Sequence, residues 1–225
     1  MMSNDPIGVI FDVDGVLVDS NPVHLETWQI IGREDGFDFT PELFFETVGQ
    51  TTPAILRSRW NRPLTEEEVQ ELGDRKELLY RQIVEKKIPA MPGAYDFARA
   101  LDRQGYRLSV GSSGPKFNVD FILEKLGLVP FLAGWVSGTD VKNGKPAPDI
   151  FLATAKIMEL APSRCVVIDD SLSGIQAARA AGMKSVGFFS FGHNDQEYLQ
   201  ADLVVRSFDE LTRRWDKVTG KRWNG

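Results

Sequence analysis

Six short apolar runs, Gly8 to Phe11, Tyr106 to Gly111, Gly134 to Val136, Cys165 to Ile168, Ser185 to Phe188 and Leu203 to Val205, alternate with longer stretches of helical pattern. Runs this short and mostly apolar, set between helical patterns, are consistent with strands buried on both faces of a parallel sheet. The punctuation between them agrees. Gly93 to Gly105 begins just after Pro92 and ends on a glycine, and Pro115 to Gly127 repeats that arrangement. Ala147 to Leu160 and Ser171 to Gly182 (SLSGIQAARAAG) read as two further helices, the second rich enough in small residues to lie close against a sheet. Strands alternating with helices predict an α/β protein built on a Rossmann-like parallel sheet.

Between the first and second runs the alternation stops. Helical spacing continues through Val23, Trp28 and Ile31, then Leu43 to Val48, Ile55, and Val69 to Val84, with no strand pattern among them. The expected organisation is a discontinuous α/β core, residues 1–20 and 88–225, with an all-helical insert at 21–87. Thr65 with Glu68 three residues on has the form of a capping box at a helix start. The tail, Trp215 to Gly225, is expected to be a packed helix followed by a frayed end.

Composition narrows the partners. The 225 residues carry a net charge of -6, which disfavours nucleic acid or an anionic membrane surface as a target. Cys165 is the only cysteine, so no intramolecular disulfide forms, and its apolar neighbours imply a buried structural thiol. The start, Met1 to Pro6, lacks the pattern of a secretory signal, and no apolar stretch is long enough to span a membrane, so the chain is expected in the cytoplasm. It is expected to act as a monomer.

In an open parallel sheet, ligands bind at the carboxyl ends of the strands, so the residue after each run is where chemistry belongs. Three such positions are loaded: Asp12 and Asp14 after the first run, Ser112 and Ser113 after the second, and Asp169 and Asp170 after the Cys165 run, with Lys145 in the loop upstream. Each has an ordinary reading alone: a turn, a loop polarity, a helix cap or a solvated lysine. Together they place four carboxylates at one sheet edge, which repel unless a cation neutralises them, and an all-oxygen set suits Mg²⁺. Mg²⁺ held this way commonly binds phosphate oxygens as well, and Ser112, nearby backbone N–H groups and Lys145 can hold those.

The ordered motifs FDVDGVLVDS, VGSSG, GKPAPDIF and VVIDDSLSGIQAARAAG resemble the haloacid dehalogenase (HAD) superfamily, in particular its phosphatases and β-phosphoglucomutase-like members, and the helical insert resembles that family's cap. The resemblance implies Asp12 as the nucleophile forming an aspartyl-phosphate and Asp14 as the general acid/base, its pKa raised by neighbouring negative charge. It implies Ser112 as a phosphoryl donor contact and Lys145 as the counter-charge. Asp12, the Asp14 backbone carbonyl, Asp169 and Asp170 would hold Mg²⁺. Asp14 and the Asp169–Asp170 pair argue against dehalogenation, and Asp14 also argues against phosphonate hydrolysis.

The cap is expected to set specificity. His24 and Trp28 lie four apart on one helix face, so a His stacked on a core Trp and a substrate-facing pair are both open. The segment Val48 to Pro53 resembles the family's specificity loop, where mutases place a base; here it carries Gln50, Thr51 and Thr52. Arg57, Arg59 and Lys76 read as solvated helix charges, although Lys76 falls where the family has a cap lysine. Ser113, His24, Trp28, Gln50, Thr51 and Lys76 are therefore the candidate substrate contacts. The expected activity is Mg²⁺-dependent hydrolysis of a small phosphorylated metabolite, a sugar phosphate or a phosphoglycolate-like compound. The alternatives are a phosphosugar mutase and a non-catalytic phosphate-binding regulator.

Overall fold

The computed structural model describes residues 7–86, 88–189 and 198–223. All six expected strands form: β1 (Gly8–Phe11), β2 (Arg107–Gly111), β3 (Leu132–Val136), β4 (Cys165–Asp169), β5 (Lys184–Phe188) and β6 (Leu203–Val205). They make one parallel sheet in the order β3-β2-β1-β4-β5-β6, with Val9 of β1 in register with Leu108 on one side and Val166 on the other. Strand order reverses between β1 and β4, so the switch-point crevice opens where Asp12 and Asp169 emerge.

The apolar bias of the strands is explained by what covers them. Four helices, α1 (Asn21–Glu34), α2 (Pro41–Thr47), α3 (Thr52–Arg59) and α4 (Glu66–Lys86), follow β1. The sheet's own helices are α5 (Ala94–Arg103), α6 (Lys116–Leu126), α7 (Asp149–Ile157), α8 (Leu172–Ala180), α9 (Phe208–Arg213) and α10 (Trp215–Thr219). Val9 and Phe11 join a cluster with Phe97 and Leu101 of α5, Ile122 of α6, Phe208 of α9 and Trp215 of α10. Ile10, the residue between them, joins Ile150 and Phe151 of α7 and Ala177 of α8. Successive strand side chains thus enter opposite cores, and both must be apolar. Cys165 belongs to the second cluster, and burial pushes its thiol up to about 11.

The helices between β1 and β2 have a core of their own, including Trp28, Ile31, Phe39, Ile55, Trp60 and Val69, with Trp28 stacked on Phe39 at 5.0 Å. The capping box forms as read: the Thr65 N–H donates to Glu68 at 2.7 Å and the Glu68 N–H to Thr65 Oγ1 at 3.2 Å. α4 belongs to both cores, because Val69 packs with the insert whereas Tyr80 and Val84 pack with the sheet cluster. The two crossings between insert and sheet run side by side: the Asp19 N–H donates to the Pro89 carbonyl at 2.7 Å and the Met91 N–H to Leu17 at 2.9 Å. Lys87, at the end of the expected insert, lies outside the described residues.

The tail departs from expectation. Trp223 stacks on Phe97 at 5.2 Å with an interplanar angle of 3°, so the chain stays packed beyond α10. Asn224 and Gly225 lie outside the described residues. Among the described residues no helix is long and apolar enough to cross a membrane.

Candidate active site

Strand β1 hands directly into a turn in which the Gly15 N–H donates to the Val18 carbonyl at 2.7 Å. Gly15 has φ +76, and a Cβ there would come 1.8 Å from Asp170 Oδ2, so DVDG requires its glycine both for backbone sign and for room. The turn sends Asp12 and Asp14 to different surroundings.

Asp12 is buried, and its Oδ1 accepts from Lys145 Nζ at 2.8 Å. The same ammonium donates to Asp169 Oδ2 at 2.7 Å, while Asp169 Oδ1 accepts from the Ser171 N–H at 2.9 Å and the Ser171 hydroxyl at 2.8 Å. Ser171 also caps α8, accepting from the Gly174 N–H at 3.0 Å, so the cap reading and the site reading of Asp-Asp-Ser hold together. Asp170 Oδ2 accepts from Asn21 Nδ2 at 2.9 Å. Oxygens of Asp12, Asp169 and Asp170 all lie within 4.8 Å of one another, and all three residues are buried.

Burial pushes the Asp12 carboxyl well above the usual carboxylate range; Lys145 works against this, and Asp169, Asp170 and Asp14 reinforce it. Burial also works against the Lys145 ammonium, but Asp12 and Asp169 hold it charged, above the ordinary lysine value. Among the described residues one ammonium faces three carboxylates, and the donors are all hard oxygens. That combination fits a divalent cation of the Mg²⁺ type.

Asp14 is separate from that group. Its Oδ1 accepts from the Ser20 hydroxyl at 2.5 Å, meets His24 Nε2 at 3.0 Å and accepts from the Tyr80 hydroxyl at 3.4 Å. Lys76 Nζ lies 2.9 Å from His24 Nδ1, and since an ammonium only donates, Nδ1 accepts and the ring proton sits on Nε2, toward Asp14. Burial works to raise the Asp14 pKa, but His24, Ser20 and Lys76 outweigh it and hold the carboxyl well below the usual range. This reverses the sequence expectation of a raised value, because the cap brings positive and donor groups to Asp14 that strand-end reasoning does not see.

One cavity is lined by Asp12, Asp14, Ser112, Ser113, Lys145 and Asp170 from the sheet side, and by His24, Trp28, Gln50, Lys76, Glu77 and Tyr80 from the helical side. Ser112 is buried at the end of β2, its N–H donating to Val136 at 3.0 Å and its Oγ accepting from the Gly114 N–H at 3.0 Å. Ser113 donates to the Gly49 carbonyl at 2.7 Å, so its hydroxyl ties the 48–53 segment to the sheet. Gln50 lines the cavity and donates to the Glu46 carbonyl at 3.3 Å. Thr51 is not among the lining residues; it caps α3, and Thr52 reaches the cavity in its place.

His24 stacks on Tyr80, with centroids 4.2 Å apart and planes within 2°, not on Trp28. Lys76, read from sequence as a solvated charge, is 3% exposed and lies 5.5 Å over Trp28 and 5.4 Å over Tyr80. Arg57 and Arg59 do remain on the surface, paired with Glu66 and Glu46. Ser20, Asn21, Glu77, Tyr80 and Asn118 join the site although the sequence does not single them out. Tyr80 lay one helical turn from Lys76 and was findable; Asn118 carries no local signal.

Comparison with known proteins agrees with this arrangement. The family model for haloacid dehalogenase-like hydrolases matches residues 8–182. The β-phosphoglucomutase of Bacillus subtilis (strain 168) is 32% identical over 91% of this chain and 91% of its own. The fructose-1-phosphate phosphatase of Escherichia coli (strain K12) is 31% identical over 80% of this chain and 94% of its own. A hydrolase from Pseudomonas syringae superposes with a TM-score of 0.87 at 26% identity, covering 94% of this chain and 99% of that one. With the family model covering residues 8–182 and a relative 32% identical over 91% of the chain, the chain belongs to the haloacid dehalogenase-like hydrolases, an enzyme superfamily whose fold with a helical cap it shares.

Proposed function

We propose that the protein is a Mg²⁺-dependent phosphomonoester hydrolase that acts on a small phosphorylated metabolite, a sugar phosphate or phosphoglycolate-like compound, through an aspartyl-phosphate on Asp12. The observation that carries this reading is the buried group of Asp12, Asp169 and Asp170, with Lys145 paired to the first two, at a cavity lined by Asp12, Asp14, Lys145 and Asp170. In this reading residues 21–87 form the cap, and 1–20 with 88–225 form the core.

Lys145 holds one Asp12 oxygen, and the other, without a partner among the described residues, attacks phosphorus. An O–P bond to Asp12 forms as the bond to the leaving oxygen breaks, and Asp14 supplies that oxygen's proton. In the second half Asp14 takes a proton from water, the water oxygen attacks phosphorus, and the Asp12 carboxylate is restored with release of phosphate. Asp12, Asp169, Asp170 and the Asp14 backbone carbonyl would hold Mg²⁺, which when bound offsets the charge that would otherwise keep an anionic nucleophile from an anionic phosphoryl group. Ser112 and Lys145 hold the phosphoryl oxygens. His24 and Lys76 set the protonation of Asp14: its low pKa suits the base role, and the acid role requires a proton delivered along the His24 contact.

The test is phosphate release from a panel of phosphorylated metabolites, with Mg²⁺ and with chelator, for the wild type and Asp12→Asn. Mg²⁺-dependent release abolished by the substitution is expected; release that survives Asp12→Asn overturns the mechanism. A phosphosugar mutase is the second reading, favoured by the 32% likeness to the B. subtilis enzyme. Gln50, Thr51 and Thr52 where mutases place a base weigh against it, and a bisphosphate-primed isomerisation assay separates the two. Binding without turnover at full Mg²⁺ occupancy would instead identify a regulator.

A further inference from the structure

The half of the cavity built by α1–α4 is mostly neutral, with Phe44, Gln50, Thr52 and Ile55 among its lining residues. Its fixed charges are Lys76 and Glu77, 3.0 Å apart and both buried. Lys76 is fully engaged, between Glu77 Oε1, His24 Nδ1 and the faces of Trp28 and Tyr80. Glu77 is held from both sides: Oε1 accepts from the Thr52 hydroxyl at 2.5 Å, and Oε2 accepts from Asn118 Nδ2, on α6, at 2.6 Å. Burial works against its charge, but Lys76, His24 and the Thr52 hydroxyl keep its carboxyl below the usual range.

The other cations near this half point elsewhere. Arg57 and Arg59 pair with Glu66 and Glu46 on the surface, and Arg62 with Glu68 and Asp35. Arg81 donates to Asn118 Oδ1 at 3.2 Å, lies 4.0 Å over the Phe117 ring, and is not among the lining residues. Among the described residues, no cation on this side is left to receive a second anion, while one carboxylate is fixed in the wall. A second anion buried here would lie beside a carboxylate whose ammonium is already engaged and would have no counter-charge of its own, which is strongly disfavoured, and such a wall selects by rejection.

We propose that Glu77 is a specificity-determining residue that rejects a second negative charge, so that the phosphoryl carrier is a neutral polyol or sugar and not a carboxylate such as phosphoglycolate or a bisphosphate. This inference rests on the phosphatase reading for its substrate and narrows the two classes named there to one.

Binding tests it without turnover. The full-length Asp12→Asn protein in Mg²⁺ is titrated calorimetrically with 2-hydroxyethyl phosphate and with 2-phosphoglycolate, which differ only in CH₂OH against carboxylate. The neutral member is expected to bind about ten-fold tighter or more, and adding Glu77→Gln is expected to bring the pair within about three-fold, through a gain for the anion. A purely structural role for Glu77 would weaken both ligands alike. Equal or tighter binding of phosphoglycolate by the parent, or a ratio unmoved by Glu77→Gln, overturns the proposal. If Glu77→Gln does not fold, Gln50→Lys, which adds an ammonium to the wall and leaves the Glu77 contacts in place, must narrow the same ratio, and an unmoved ratio there is equally fatal. Phosphate release by the wild type on the same pair keeps the two readings apart. Selective binding without turnover ends the phosphatase reading alone, and turnover that prefers the anion ends this one alone.

Discussion

On the sheet side three buried carboxylates, Asp12, Asp169 and Asp170, cluster, and Lys145 pairs with the first two; on the helical side one carboxylate, Glu77, meets one ammonium, Lys76. The floor is left short of positive charge, which is a place for a cation. The roof is balanced and has its lone pairs and protons taken by Thr52, Asn118 and His24, which is a place for nothing charged. The same residue types therefore do opposite things, and the difference lies in how many of each sign are buried together.

The largest expected effect breaks the floor. Lys145→Ala leaves Asp12 and Asp169 buried without their counter-charge and should cost about 3–5 kcal/mol in chelator, lowering Tm by roughly 10 °C, with Mg²⁺ recovering part of the loss. An unchanged Tm in chelator would mean that the floor is not electrostatically short of charge. Next, His24→Asn should lower kcat by about 10²-fold, within the usual worth of a general acid/base. Because His24 helps hold the Asp14 pKa down, the acidic limb of the pH–rate profile should also move to higher pH. A limb that stays put separates His24 from Asp14.

Asp12→Asn should abolish activity yet raise Tm by a few degrees in chelator. The sign follows from the raised Asp12 pKa. The folded state keeps this proton to a higher pH than the unfolded chain, so the metal-free protein loses stability as pH rises from about 4 through the folded value. Denaturation of the metal-free wild type across that window should show the decline, and Asp12→Asn should flatten it.

Gly49→Ala tests the seam between the halves. Gly49 has φ +84, and a Cβ there would lie 2.3 Å from Ser173 Oγ and 2.5 Å from Ser171 Oγ, so the loop cannot sit down on α8. A fall of about ten-fold in kcat/KM, with Tm changed by only a few degrees, is expected. The smallest effect is reserved for Arg57→Ala, which removes an exposed pair with Glu66 and should change stability by less than about 0.5 kcal/mol in a denaturant titration. A larger value would place Arg57 in the cap's working surface.

The six strands and the floor of the site were legible because their signals are local. Burial on both faces makes a strand apolar throughout, and parallel strands deliver their next residues to one edge, so Asp12, Ser112, Asp169 and Asp170 could be grouped without coordinates. The roof was read less well. Lys76 reads both as a solvated helix charge and as a candidate substrate contact, Thr51 and not Thr52 was placed at the substrate, and the tail was expected to fray where Trp223 instead packs against Phe97.

What the chain determined by itself is the sheet, the inserted helices and the edge where four carboxylates gather, since periodicity and strand ends are properties of neighbours in sequence. The tertiary structure alone decided that His24 and Lys76 address Asp14, and that Glu77 meets Asn118 across 41 residues. The sign of a pKa shift and the charge a cavity admits depend on distances of about 3 Å between side chains on separate elements, and spacing along one chain does not encode them.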